Sequence, residues 1–386
     1  MIGPSTVREA PREWEEGSLP RYRLMIPGPV DVLPHILAEM GHPITPHYGA
    51  DWVAFYNETL DRLRTIWQCD GEIFILPGSG SAGLEAALVT ACPRDGRVLV
   101  VENGFFGMRL VDIARSHGLH VEAIRFSLGT AADPGVVRAA LEKEPFDLVV
   151  CVHCETSAGI LNPVQSLAAI CREFDVLFMV DAISSLGIEP FYMDDWGVDI
   201  GVTASQKGLE TPPGLAVVAF GTQAWERVSQ FQSDGWYLNL KVWKDFAVRW
   251  ADWHPYPITQ AVNNVRALRR AMDGILEETL IVRWERHRSV TQDLRCGLVA
   301  AGFQLFVPDD IASHGVTAVL TGAGKAGQLS LWLRENHRVM VAGGFGESRD
   351  RMFRIGHMGP GASADVVGTL LSALRAFPTA DTEKSR

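Results

Sequence analysis

Three stretches of the chain carry residue types that could do chemistry together. The first is Val198-Asp199-Ile200-Gly201-Val202-Thr203-Ala204-Ser205-Gln206-Lys207-Gly208, an apolar run that ends in small and polar residues and one lysine. The second, Val176-Leu177-Phe178-Met179-Val180-Asp181, is an apolar run that ends in a carboxylate. The third runs from Ile73-Phe74-Ile75-Leu76-Pro77 into Gly78-Ser79-Gly80-Ser81 and a helical pattern. Strand-to-loop transitions of this kind lie at the edge of an α/β sheet, where ligands bind. Each stretch alone has a plain reading. Lys207 is then a surface charge, Asp181 a helix N-cap before Ala182-Ile183-Ser184-Ser185, and the glycines a tight turn. Together they are the parts that pyridoxal 5'-phosphate chemistry needs. An amine condenses with the aldehyde, a carboxylate keeps the ring nitrogen protonated, and a hydroxyl-lined loop at a helix start faces the phosphate. The amine must be neutral to react, a state that desolvation and nearby cations favour.

The glycine-rich stretch also has a rival reading. Gly78-Ser79-Gly80-Ser81-Ala82-Gly83 fits G-x-G-x-x-G between a strand and a helix, and Glu102 ends the next strand. That is the context of a dinucleotide-binding fingerprint, and so of a nicotinamide dehydrogenase. Two serine hydroxyls suit a phosphate monoester better than a pyrophosphate lying flat on glycines. The dehydrogenase reading also leaves Asp181 and Lys207 unused.

The elements that must position these residues follow from the apolar pattern. Strands are predicted near 73–77, 97–102, 119–126, 147–152, 176–181, 198–203 and 215–220. Helices are predicted near 51–68, 82–92, 106–117, 134–144 and 164–174. Short, continuously apolar strands alternating with helices predict an α/β fold: a mostly parallel seven-stranded sheet covered on both faces. Residues 225–253 hold Trp225, Trp236, Trp243, Trp250 and Trp253, three of them seven apart, a helical stripe for packing or a subunit interface. Long helical segments over 261–301 lead to strands near 316–320, 339–342 and 352–356, with helices near 325–336 and 361–377. The expected division is an N-terminal arm (1–24), a large domain (25–275) and a smaller C-terminal α+β domain (276–386).

Composition narrows the class. With 47% hydrophobic and 21% charged residues, the 386-residue chain can bury a substantial core. A net charge of −11 argues against nucleic acid or an anionic membrane as partner. No apolar run approaches a membrane span, and Arg8, Arg12, Glu13, Glu15 and Glu16 stand where a signal peptide needs an apolar core. A cytoplasmic protein is expected. Cys151 and Cys154 form C-x-x-C, but no second pair follows at zinc spacing, so both read as core and no metal is expected.

The sequence resembles the class V, fold-type I aminotransferases, in particular the alanine–glyoxylate and serine–pyruvate group. The matching residues span roughly 25–360. They are Pro27-Gly28-Pro29, Gly78-Ser79-Gly80-Ser81, Asn103-Gly104-Phe105-Phe106-Gly107, Glu155-Thr156-Ser157-Ala158-Gly159, Val180-Asp181-Ala182-Ile183, Ser205-Gln206-Lys207 and Arg354-Ile355-Gly356. The resemblance implies an aspartate-aminotransferase-like large domain and a homodimer with its active site at the subunit interface. It implies that Lys207 carries the cofactor as a Schiff base, that Asp181 pairs with the ring nitrogen, and that Thr156 sits near the ring hydroxyl. Phe106 and Ile183 would cover the ring faces. Ser79, Gly80, Ser81 and Gln206 would hold the phosphate, completed by Tyr256 and Thr259 of a second subunit. Arg354 would clamp the substrate carboxylate, with Gly28 and Tyr48 bordering the substrate.

The resemblance thus implies transfer of an amino group from a small amino acid to glyoxylate or pyruvate. Pyridoxamine–pyruvate, ureidoglycine–glyoxylate and lyase or decarboxylase chemistries stay open. Departures fall at Phe106, where relatives often carry tryptophan, at Ser81, where some carry histidine, and over 44–49. A desulfurase would need a mobile cysteine late in the chain, and only Cys296 is there.

Overall fold

The computed structural model describes residues 21–322 and 324–378, so residues 1–20 of the expected arm lie outside the described residues. The apolar runs form β1 (Glu72–Pro77), β2 (Arg97–Glu102), β3 (His120–Arg125), β4 (Leu148–Val152), β5 (Leu177–Asp181), β6 (Ile200–Ala204) and β7 (Leu215–Phe220). They make one seven-stranded sheet in the order β1-β7-β6-β5-β4-β2-β3. From β3 through β6 the ladders are parallel; β7 runs antiparallel to both β6 and β1. Every residue of β4, β5, β6 and β7 is buried, as a sheet covered on both faces requires. The chain between β6 and β7, residues 205–214, is the turn that carries Lys207.

The covering helices include α1 (Ala50–Trp67), α2 (Gly80–Ala91), α3 (Phe105–Ser116), α4 (Pro134–Lys143) and α5 (Val164–Glu173). α5 shows the usual logic: Val164, Leu167, Ala168 and Cys171 recur at helical spacing and form its buried face. α2 lies close on β6 and β7. A Cβ added at Gly83 would sit 2.9 Å from both Ala216 Cβ and Val202 Cγ1, so a glycine permits this approach.

Beyond α6 (Val262–Glu278) and α7 (Leu280–Ala300), a second sheet holds β8 (Gln304–Leu305), β9 (Val316–Leu320), β10 (Ala342–Gly343) and β11 (Met352–Gly356). Its order is β8-β9-β11-β10, all antiparallel. With α8 (Lys325–His337) and α9 (Ala364–Arg375) it encloses a separate apolar cluster around Leu294, Leu298, Leu333, Phe353 and Leu370.

Two patterns differ from the sequence reading. The strand expected over 339–342 divides: Val339–Met340 pairs in parallel with Arg23–Leu24, and Ala342–Gly343 pairs with β11. Residues 23–24, read as arm, therefore form a strand, and Met25 is buried in the second core. Two-residue strands carry no periodicity to read. The tryptophans also do not form one stripe. The helix there is Leu240–Arg249, started by the Asn239 side chain accepting from Lys241 N–H. Trp243 is buried, whereas Trp236 and Trp250 fall outside the helix and are 54% and 47% exposed.

One buried arginine ties the fold to the turns at the sheet edge. Arg283, near the start of α7, donates through Nε to the Gly187 carbonyl (2.6 Å) and through Nη2 to the Gly208 carbonyl (2.9 Å), and it pairs with Glu210. These carbonyls belong to the segments that follow Asp181 and Lys207. Replacing Arg283 with methionine leaves a buried carboxylate and two carbonyls without a donor. The expected loss is roughly 3–5 kcal/mol in denaturant unfolding, and a loss below about 1 kcal/mol would show that the clip is dispensable.

Candidate active site

A cavity of about 200 Å³ opens at the C-terminal ends of β4, β5 and β6. It is lined by Ser79, Gly80 and Ser81 from the β1–α2 turn, Phe106 and Arg109 from α3, and Val152 and Cys154. Asp181, Ile183, Ser184, Gln206 and Lys207 complete the lining. A larger depression, about 800 Å³, lies at the opposite edge of the sheet. Its charged groups are surface arginines and aspartates, including the Arg227–Asp175 pair, and it holds no lysine. The smaller cavity carries the chemistry.

Lys207 is the focus. Its Nζ donates to the Pro27 carbonyl. Burial lowers its pKa to about 8; Arg354 and Arg109 push the same way, while Cys154 and Asp181 oppose. Gly28 packs directly against it. Its φ is +95°, and an added Cβ would lie 2.6 Å from Lys207 Cε, so only glycine fits. Asp181, at the tip of β5, is pushed up to about 7, chiefly by burial and further by Glu155. One of its oxygens accepts from Ile183 N–H (2.9 Å), which is the turn-capping role. Lys207 and Arg109 lower its pKa through their charge, yet among the described residues no cation forms an ion pair with it.

The remaining lining carries unused polar capacity. Ser79 holds the N-cap position of α2, but its hydroxyl bonds none of the helix N–H groups. Gln206 Oε1 is buried with no hydrogen-bond partner among the described residues. Phe106 is fixed from behind by Glu155. The buried Glu155 carboxylate accepts from Phe106 N–H (3.0 Å), Gly107 N–H (3.1 Å) and the Ser157 hydroxyl (2.5 Å), and so caps α3. Arg354, on β11, is buried and, like Thr156 and Gly28, is not among the residues that line the cavity. Its Nε donates to the Gly343 carbonyl (2.8 Å) and its Nη1 to the Thr156 carbonyl (2.9 Å). Burial lowers its pKa to about 10.

Tyr256, Thr259 and Tyr48 do not line the cavity of their own chain. The Tyr256 hydroxyl donates to the His47 carbonyl and accepts from Trp52 Nε1. Thr259 is exposed, and Tyr48 leans on Trp253 with ring centres 4.9 Å apart. Cys296 lies exposed on α7, outside the cavity lining.

Three residues of the site were not singled out from the sequence. Cys154, read as core, lines the cavity, with its Sγ 3.1 Å from Ser313 Oγ. Glu155 lay inside a quoted motif without a role. Arg109 lines the cavity, although the sequence analysis assigned a substrate role to Arg354 alone. Its position one turn after Phe106 was the available signal, since residues three apart share a helix face.

The class-V aminotransferase family model matches residues 38–350. The chain belongs to this family. An uncharacterized aminotransferase of Methanocaldococcus jannaschii is 34% identical over 352 residues, covering 90% of each chain. The crystal structure of alanine–glyoxylate aminotransferase from Nostoc sp. aligns with a TM-score of 0.88 at 30% identity, covering 94% of this chain and 97% of that one. A relative from Synechococcus sp., 31% identical over 358 residues and covering 92% of each chain, is named the small subunit of a soluble hydrogenase. Family membership makes the protein an aminotransferase. Because the relatives' names diverge, the reaction must be argued from the site.

An amine titrating near 8 should capture aldehydes under mild conditions. The rate at which Lys207 condenses with added pyridoxal phosphate is expected to rise as pH climbs through about 8 and then level off. A rate still rising steeply above about pH 10 would mark Lys207 as an ordinary, solvated lysine.

Proposed function

We propose that the protein is a pyridoxal-5'-phosphate-dependent aminotransferase. It moves the amino group of a small amino acid such as alanine or serine to glyoxylate or pyruvate, in two half-reactions. The observation that carries this reading is the meeting, in one cavity, of a buried amine with its pKa lowered to about 8 and a buried carboxylate that has no cation partner among the described residues. The groups left over in the cavity fit the cofactor. Asp181 lacks a cation, which a protonated ring nitrogen supplies. The free Ser79 hydroxyl, the start of α2 and the side-chain NH2 of Gln206 suit a phosphate. Phe106 and Ile183 offer apolar faces for a ring.

When bound, the cofactor acts as the sink for the electrons left at the substrate Cα. The chain's own groups do the rest. Lys207, as a neutral amine, would take the Cα proton, hold it as an ammonium and release it on the cofactor side rather than back to Cα. Asp181 stays ionised once it faces a cation. Arg354 meets the substrate carboxylate with the N–H groups that its two carbonyl bonds leave free. Glu155 holds Phe106 in place, and Gly28 leaves room for the Lys207 side chain to lie flat.

In this reading the active enzyme is a homodimer, and Thr259, together with Tyr256 once its hydroxyl leaves the His47 carbonyl, serves the phosphate of the partner subunit's cofactor. The exposure of Thr259 and of the neighbouring Trp250 and Trp253 supports such an interface. The acidic balance supports small molecules rather than nucleic acid as partners, and no helix among the described residues is long and apolar enough to cross a membrane. A cytoplasmic location is the compartment proposed.

Arg109 favours a second reading of the substrate, because an arginine without a carboxylate partner in the cavity could receive the distal carboxylate of a dicarboxylic acid. A panel of amino acids against glyoxylate, pyruvate and 2-oxoglutarate, followed as bleaching and recovery of the bound chromophore, separates the two. Alanine or serine with glyoxylate or pyruvate should turn over best. Faster turnover of aspartate or glutamate would give the site to dicarboxylates, and no bleaching by any amino acid would end the proposal. Lys207→Ala should lower turnover by roughly 10²–10⁴-fold or more, with the fold intact by circular dichroism.

A further inference from the structure

Two stacked rings, each contacted by an arginine, link α3 to the loop after β10. Arg109, on α3, lies with Cζ 5.1 Å from the centre of the Phe105 ring. Phe105 stacks on Phe345 with centroids 4.3 Å apart and planes within 3°. Arg354 Cζ lies 4.3 Å from the centre of that same Phe345 ring. Phe345 therefore packs against both the Phe105 ring and the Arg354 guanidinium. Phe345 sits in Gly343-Gly344-Phe345-Gly346, just after β10, and the Gly343 carbonyl accepts from Arg354 Nε. One loop therefore holds Arg354 by its edge and by its face.

We propose that Phe345 is the positioning residue of the Arg354 clamp, and through it a determinant of which carboxylates the enzyme accepts. The inference rests on the reading of Arg354 given above. Two of the guanidinium's donors are taken by the carbonyls of Gly343 and Thr156, and its plane is set by the ring. The N–H groups that remain point in a fixed direction. A long side chain locked before the substrate arrives loses little freedom on binding it. The ring also answers an electrostatic problem. Arg354 is buried and has no carboxylate partner among the described residues, and the negative face of an aromatic ring is the compensation it finds. A leucine would fill the space without supplying that face. The contact is held by Phe105 from the other part of the chain, so the clamp is aligned only when the two sides of the site are packed together.

The test uses the cofactor-loaded enzyme and the variants F345L, F345W and R354K. Cofactor absorbance, kcat and the KM for the keto acid are measured for each. F345L is expected to raise KM about threefold to tenfold, with kcat changed less than about twofold and the cofactor spectrum unchanged. F345W, which keeps an aromatic face, should stay near the parent. R354K should raise KM at least as far as F345L. A normal KM in F345L beside a raised KM in R354K would overturn the role of Phe345 and leave the clamp standing. An equal rise in F345W and F345L would overturn it too, because the aromatic face would then not matter. A normal KM in R354K would instead sink the clamp reading itself, and this proposal with it.

Discussion

Two ionisable groups of opposite sign, Lys207 and Asp181, are buried in one cavity, and neither is solvated or paired with the other. Burial, with smaller contributions from neighbouring charges, brings the amine down to about 8 and the acid up to about 7, so each is held near the point where it gives up its charge. A chain that only needed stability would pair them or replace them with apolar residues, since uncompensated buried charge is costly. Here the cost is kept because the missing counter-charge arrives from outside. A ring with a cationic nitrogen satisfies Asp181, and an aldehyde turns the neutral amine into a covalent link.

Much of the surrounding architecture serves to keep these two groups dry and close. Parallel strands bring the tips of β5 and β6 side by side, with Asp181 paired to Val202 in the ladder. The antiparallel β7 allows the chain after β6 to turn back at once, which fixes Lys207 at the sheet edge. Behind the two turns, Arg283 binds both backbones from α7. On the far side, Glu155 caps α3 and so sets Phe106 over the cavity. The second sheet contributes Arg354 through β11, and the Phe105–Phe345 stack ties that sheet to α3.

The sequence made the sheet legible because strands buried on both faces read as unbroken apolar runs, and residues at or just beyond the ends of β1, β4, β5 and β6 reach the cavity. Asp181, Lys207 and the Ser79–Ser81 turn were visible for that reason. What was not visible depends on contacts far apart in the chain. Phe345 means nothing until it is seen between Phe105 and Arg354. Cys154 looked like core because the apolar run of β4 leads into it. Arg109 shares its face of α3 with Phe106, yet nothing in its type separates a cavity arginine from a surface one. The division of 339–342 between two sheets lay below the length at which alternation can be recognised. The tryptophan spacing misled because Asn239 starts its helix only after Trp236.

The central claim is a covalent bond at one position, and it can be located directly. The purified, cofactor-loaded protein is reduced with borohydride, digested and mapped by mass spectrometry. A single phosphopyridoxyl adduct is expected, on the peptide that contains Lys207, with loss of the visible chromophore. An adduct at another lysine, or none on a protein that still transfers amino groups, would contradict it.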